Sequence, residues 1–506
     1  MGGIRMKTAP ARWVLLATVL GSGLAGIDAT VVNIALPTIG GDLDADFAAL
    51  QWMVTGYTLT LASFILLGGS LGDRYGRRRI FVLGVIWFAV ASLLCGLAPD
   101  AGLLIAARAL QGVGGALLTP GSLAIIQATF SGEDRARAIG AWSGLGGVAT
   151  AIGPFLGGWI VESVSWRWIF LINVPIAAVV VWIAARHVPE THDAEATGRL
   201  DVGGAVLGAL ALGGTTYALI EAPARGAGSP AVLASGILGI TAAMAFLLVE
   251  WRTGHPMLPL RIFGNRQFSA ANAVTFLIYA VFGGIFFLLV VHLQVVGGFS
   301  PVASGVAMLP ITALMLVLSP RAGALSARIG PKIPMTAGPL VCALALVLML
   351  RIGPAASYLL DVLPAVVVLG LGLSLLVAPL TSTALSSVPE HQAGLASGVN
   401  NAVARAAGLI AIAVLPAAVG LSGDAYSDAV QFEAGFDTAC VIGAVVLVLG
   451  GLLAALTIRT PTLPVGAARA QSVHPAHCAI DGPPAATAAV RGRRPAGTMR
   501  GDHRSS

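Results

Sequence analysis

Charge is what this chain lacks. Of its 506 residues only 10% are Asp, Glu, Lys or Arg, against about 25% in a water-soluble protein. So little polar surface cannot coat a globule, which excludes a soluble enzyme, a nucleic-acid binder and a disordered scaffold. Cysteine is also sparse. Cys95, Cys342, Cys440 and Cys478 stand far apart, without the spacing of a metal site, a redox pair or a disulfide framework. A Gly-rich phosphate loop ending in Lys-Ser/Thr is missing, so ATP-driven work is not expected. The first apolar run, from Trp13, is too long for a cleavable leader and has no small-residue cleavage site.

What is present is apolar: 57% of the residues are hydrophobic, and the mean hydropathy is +0.88. One crossing takes roughly 20 residues, which leaves room for about a dozen. Apolar runs bounded by charge, Pro or Gly give fourteen spans, the first at 13–36 and the last at 438–457. Helices are required, because an open strand leaves its backbone unpaired in lipid and the alternating runs of a barrel are missing. The expected fold is an all-α polytopic membrane protein with 14 transmembrane helices.

The cations set the orientation. Of 29 Lys and Arg, 24 fall on the side of the N-terminus, three (Arg167, Arg225 and Arg351) fall in loops on the other side, and Arg108 and Arg405 lie within spans. Positive charge stays inside, so both termini are expected in the cytoplasm, and the pI near 9.5 needs no nucleic acid. The outer loops carry acids instead, among them Asp42, Asp44, Asp46, Asp424, Asp428 and Glu433. Beyond Arg459 the composition of Ala, Pro, Gly and Arg reads as a disordered cytoplasmic tail.

A repeat is also legible. Gly69, Leu71, Arg74, Gly76 and Arg78 after span 2 match Gly323, Leu325, Arg328, Gly330 and Lys332 after span 10, each 254 residues on. A fainter echo pairs Glu133 with Glu390. The duplication divides the chain into a first six-helix bundle at 1–190, two inserted helices at 191–266, a second six-helix bundle at 267–458 and the tail at 459–506. Two related bundles with a site between them near the midplane is the architecture of alternating access.

These motifs resemble the major facilitator superfamily, specifically its fourteen-span drug:proton antiporters. Gly69 to Arg78 is similar to the superfamily's loop between helices 2 and 3. Leu104-x3-Arg108-x2-Gln111-Gly112-x-Gly114 is similar to its helix 4 motif. Gly153-Pro154-x2-Gly157-Gly158 resembles the antiporter motif of helix 5, with Ala149 where a glycine is usual. Asp28-x-Thr30-Val-Val-Asn33-Ile-Ala35-Leu36-Pro37 resembles the span 1 motif of the fourteen-span exporters. The resemblance implies proton coupling at Arg108. It implies a latch between halves at Gly69, Asp73, Arg74, Gly76, Arg77 and Arg78, and an antiporter bend at Gly153, Pro154, Gly157 and Gly158.

Physics picks out the same places. Asp28 lies about 13 Å inside the outer end of span 1, and Arg108 at a similar depth in span 4. Isolated charges at that depth cost about 3 kcal/mol or more, so they pair and face a cavity. A carboxylate so placed could exchange a proton for a cationic drug. The plain alternative is a bridge that only holds helices 1 and 4. Glu221 and Arg405 form a second candidate charge site or are interfacial residues, and His292 reads as interfacial. Span 10 contains no acid, which favours neutral or monocationic lipophilic compounds over dications.

The sequence therefore predicts a proton-driven exporter of small lipophilic drugs or antibiotics in the cytoplasmic membrane, acting as a monomer with no cofactor beyond the proton gradient and no metal. A dedicated exporter of one secreted metabolite shares every motif; a nutrient importer fits them less well. A membrane enzyme would have only Asp42, Asp44 and Asp46 to work with.

Overall fold

The computed structural model describes residues 5–6, 8–192, 200–254, 256–389, 392–423 and 428–459. The expected tail beyond Arg459, with Cys478, lies outside the described residues, as do Arg199, Glu390 and Asp424. Every regular element among the described residues is helical. In chain order these are α1 (Ala9–Asp42), α2 (Phe47–Tyr75), α3 (Arg77–Gly96), α4 (Ala101–Thr129), α5 (Gly132–Ser163), α6 (Trp168–His187), α7 (Val202–Arg225), α8 (Pro230–Arg252), α9 (Arg266–Val295), α10 (Pro301–Ile329), α11 (Lys332–Met349), α12 (Tyr358–Ser386), α13 (Ala393–Ala418) and α14 (Ala429–Thr457). Thirteen are long and apolar enough to cross a membrane. Helix α5 has 32 residues, eight of them glycine.

Helices overrun the apolar runs because polar caps continue the coil. The side chains of Asp46, Asp100, Asp201 and Asp428 each accept a backbone N–H at the start of α2, α4, α7 and α14. Such caps contribute about 1 kcal/mol each. The outer acids are thus partly structural. Asp42 closes the other end of α1 by accepting from Arg167 at 2.9 Å and from Trp166 at 2.8 Å. Proline interrupts without breaking: α1 runs through Pro37 to Asp42, which puts Asp28 about 21 Å from that helix end rather than 13.

In the first half α1 packs on α5 and α6, α3 on α6, and α4 on both α2 and α3. In the second half α9 packs on α13 and α14, α11 on α14, and α12 on both α10 and α11. The same five pairings recur eight helices later. Gly76 and Gly330 end α2 and α10 with φ of 112° and 87°, a left-handed backbone that favours glycine, so the sequence match is also a match of geometry. Helices α7 and α8 pack on each other, and α7 touches α2 and α13.

The halves meet through α2 with α13 and α5 with α10. At the end of the bundle away from the N-terminus, Gln51 donates to the Ile412 carbonyl at 2.5 Å and Gln294 to that of Ile34 at 2.9 Å. The backbone N–H of Phe47 donates to the Gly423 carbonyl at 3.0 Å, and the Phe47 ring meets Phe287 and Phe432. Call this the outer seam.

Candidate functional site

Asp28 and Arg108 are brought together. Arg108 Nη1 donates to Asp28 Oδ2 at 2.5 Å, with both side chains no more than 1% exposed. The pair belongs to a larger network drawn from five helices. Gln111 Nε2 donates to Asp28 Oδ1 at 2.7 Å and to Ser92 Oγ at 2.7 Å, while Gln111 Oε1 accepts from Arg108 at 2.6 Å. Asn173 Nδ2 on α6 reaches Asp28 Oδ1 at 3.2 Å and Ser92 Oγ at 3.3 Å. Arg108 Nε donates to the Met53 carbonyl of α2 at 3.0 Å. The Tyr57 ring lies 4.4 Å from the guanidinium carbon, and that of Phe170 lies 5.8 Å away.

Local sequence explains the convergence. Arg108 and Gln111 are one turn apart on α4 and so share a face. Gly112 and Gly114 let that face close on its neighbours. A Cβ on Gly112 would strike the Tyr57 carbonyl, and one on Gly114 would come within 2.7 Å of the Phe88 backbone nitrogen. Each oxygen of Asp28 is engaged, and Arg108 is paired, hydrogen-bonded and stacked. This is the geometry a buried ion pair needs to offset its desolvation. The sequence reading missed Ser92 and Asn173. An asparagine inside an apolar span was the available signal for Asn173; a lone serine gives none.

The loop after α2 is anchored within the first half. Arg77 Nη2 pairs with Asp73 at 2.7 Å. Arg78 Nη1 donates to the Val188 carbonyl at 3.1 Å, and Arg78 N to Glu190 Oε1 at 3.1 Å. Glu190, which the sequence reading did not single out, also lies 3.7 Å from Arg79 and fills the space a Cβ on Gly76 would need. Glu190→Ala is expected to free the loop and lower the melting temperature of the purified protein by a few degrees, an effect that should shrink in high salt. Arg74 lies over the Tyr75 ring.

The close approach in this segment is at Gly68, beside the latch residue Gly69. A Cβ on Gly69 meets only Pro120 Cβ at 3.7 Å, whereas one on Gly68 would strike the Ala116 carbonyl of α4. Gly69→Ala should leave stability and expression unchanged, while Gly68→Ala should lower the melting temperature clearly; paired thermal melts in detergent check both.

Gly153, Pro154, Gly157 and Gly158 lie on the part of α5 that touches α1 and the other half. A Cβ on Gly153 would strike Thr30 Oγ1, and one on Gly157 would lie 2.7 Å from Val31 Cγ1. Gly158 faces across the seam, where a Cβ would lie 2.5 Å from the Pro301 carbonyl oxygen. Gly305 returns the contact against the Pro154 carbonyl. Helix α5 is continuous through Pro154.

Glu221 and Arg405 have separate surroundings. Glu221 accepts from Arg225 at 2.6 Å and from Trp52 Nε1 at 3.1 Å, which ties α7 to α2 near the outer end. Arg405 lies on α13 in the electrostatic reach of Tyr57 and Tyr279. His292, expected at an interface, is fully buried. Its Nε2 meets the Ile352 carbonyl at 2.6 Å, and the ring stacks 4.0 Å from Phe436. Among the described residues no cluster of His, Cys, Asp or Glu could hold a metal.

Residues 18–413 match the family profile of the Major Facilitator Superfamily. The chain belongs to this superfamily. Among the superfamily's characterised members, it is 35% identical over 402 residues to the Multidrug resistance protein Stp of Mycobacterium tuberculosis, covering 79% of this chain and 74% of that one. It is 36% identical over 414 residues to the Tetracenomycin C resistance and export protein of Streptomyces glaucescens, covering 82% and 76%. A crystal structure of a POT family transporter in complex with 5-aminolevulinic acid superposes with a TM-score of 0.66 at 13% identity, covering 89% of this chain and 97% of that one. At that identity the likeness speaks for the transporter fold alone. The superfamily match covers every candidate residue named here, from Asp28 to Arg405.

Proposed function

We propose that this protein exports small lipophilic molecules across the cytoplasmic membrane by alternating access, in exchange for protons. The observation that carries the reading is the sealed Asp28–Arg108 network, in a chain whose relatives are resistance and export proteins. Binding a proton on Asp28 would cancel its charge and leave Arg108 unpaired in a low-dielectric site. That is a large, local change of preference, which a two-state bundle can convert into motion.

In this reading all fourteen long helices cross, α5 included, since it packs along α1 and α10. The bundles at 1–190 and 267–458 are the moving halves, and 191–266 is an insertion. The recurring helix pairings and the matched Gly76 and Gly330 support the duplication. Both termini face the cytoplasm, as the charge asymmetry favours, and the protein works as a monomer without a cofactor. The outer seam is closed in this state. The α2–α3 loop holds its own half and would latch the other when the inner ends meet. The glycines of α5 let the halves rock at a tight contact.

The test is substrate-driven proton release from proteoliposomes, with lipophilic dyes and antibiotics compared between wild type, Asp28→Asn and Arg108→Ala. Proton release that disappears in both folded variants supports antiport. Transport that persists in both reduces the pair to a structural bridge. A narrow exporter of one metabolite is the second reading, favoured by the relative named for tetracenomycin C alone; a single transported compound in the same assay would select it.

A further inference from the structure

Arg405 is the thirteenth of 26 residues in α13, so it stands at mid-depth, about 20 Å from either helix end. Its Nε is sealed from solvent and has no hydrogen-bond partner, and no carboxylate pairs with it among the described residues. Its electrostatic neighbours are two phenols, Tyr57 from α2 of the first half and Tyr279 from α9 of the second. Arg405 therefore lies where the two halves face each other. It has been brought there deliberately by packing: α13 rests on α9 so closely that a Cβ on Gly283 would lie 2.5 Å from Gly408 Cα.

A half-buried guanidinium with no carboxylate beside it at mid-depth is costly. The other cation within a span, Arg108, is neutralised by Asp28. Five N–H donors in a planar fork match a carboxylate, phenolate or enolate oxygen. We propose that Arg405, with Tyr57 and Tyr279, binds an anionic oxygen of the transported molecule, so that the exported compounds include lipophilic weak acids. This rests on the export reading and adds to it the charge class of the substrate. It also departs from the expectation of neutral or monocationic cargo, which considered only the absence of acids in α10. Because Arg108 lies 4.4 Å over the Tyr57 ring, the same tyrosine borders both sites. Loading an anion at Arg405 is thereby placed to bias the Asp28–Arg108 pair.

The test uses two dyes with one xanthene skeleton and opposite charge: fluorescein, an anion, and rhodamine 123, a cation. Binding is read by fluorescence anisotropy on the full-length protein in neutral detergent. Efflux is read in proteoliposomes of uncharged lipid, so that no anionic headgroup can occupy the site. We expect wild type to bind fluorescein, Arg405→Gln to weaken that binding about tenfold or more, and Arg405→Lys and Tyr279→Phe to weaken it less. Rhodamine binding should stay within about twofold, because the lost group repels rather than holds a cation. Equal loss of both dyes in Arg405→Gln, with the melting temperature unchanged, would overturn the proposal, as would no loss of either or a wild type that fails to bind fluorescein. Wild-type protein that binds fluorescein but moves neither dye would instead overturn the export reading and leave the anion site standing.

Discussion

Arg108→Ala is expected to abolish coupled transport and to lower stability by about 3–5 kcal/mol, since it strips a buried carboxylate of its counter-ion. The residue left behind would be Asp28, still held by Gln111 and Asn173 at 2.7 and 3.2 Å but without its only opposite charge. Asp28→Asn should be as damaging from the other side: it keeps the shape and leaves Arg108 charged beneath Tyr57 and Phe170. The double variant Asp28→Asn/Arg108→Gln separates structure from chemistry. With no buried charge left, it should recover much of the stability lost by either single change, yet remain without proton-coupled transport. Thermal melts and proton release on the same four proteins check this. If the double variant recovers transport along with stability, the pair is a bridge and coupling lies elsewhere.

The second large effect is expected at the seam. Gly158→Val places a branched side chain where even a Cβ would lie 2.5 Å from the Pro301 carbonyl oxygen and 2.7 Å from Val302 Cα. Those atoms are backbone and cannot rotate away, so α5 and α10 must separate. The bonds Gln51–Ile412 and Gln294–Ile34 lie at the same end of the bundle and would be strained together. A carrier that cannot close its outer seam cannot complete a cycle. Transport should fall by at least about tenfold, with a smaller fall for Gly158→Ala. Cysteine-specific labelling of an added outer-seam cysteine, from outside intact cells, should rise in the same order. Unchanged transport in Gly158→Val would show that the seam does not need to close.

Hydropathy was enough to establish an all-helical chain with thirteen helices long and apolar enough to cross a membrane among the described residues, and charge set the expectation for its orientation. These properties are additive along the chain: twenty apolar residues must cross, and arginine resists translocation, whatever the neighbours. The two helix ends at Gly76 and Gly330 were legible because a left-handed turn demands glycine locally. Asp28 and Arg108 stood out because a mid-span charge is too expensive to be incidental. The identity of their companions was not legible. Gln111 stood in the helix 4 motif, but Ser92 and Asn173 come from two other helices, and only packing decides which polar groups share a point. The same limit applied to Gly68 against Gly69, where a rotation of about 100° on α2 decides which glycine faces Ala116. It applied to Glu190, which closes the α2–α3 loop from over a hundred residues away. It applied most to Arg405. In the sequence it is one cation in an apolar run, as Arg108 is. The tertiary structure gives Arg108 an aspartate and gives Arg405 only two tyrosines, because pairing is a property of facing helices and no single helix encodes it.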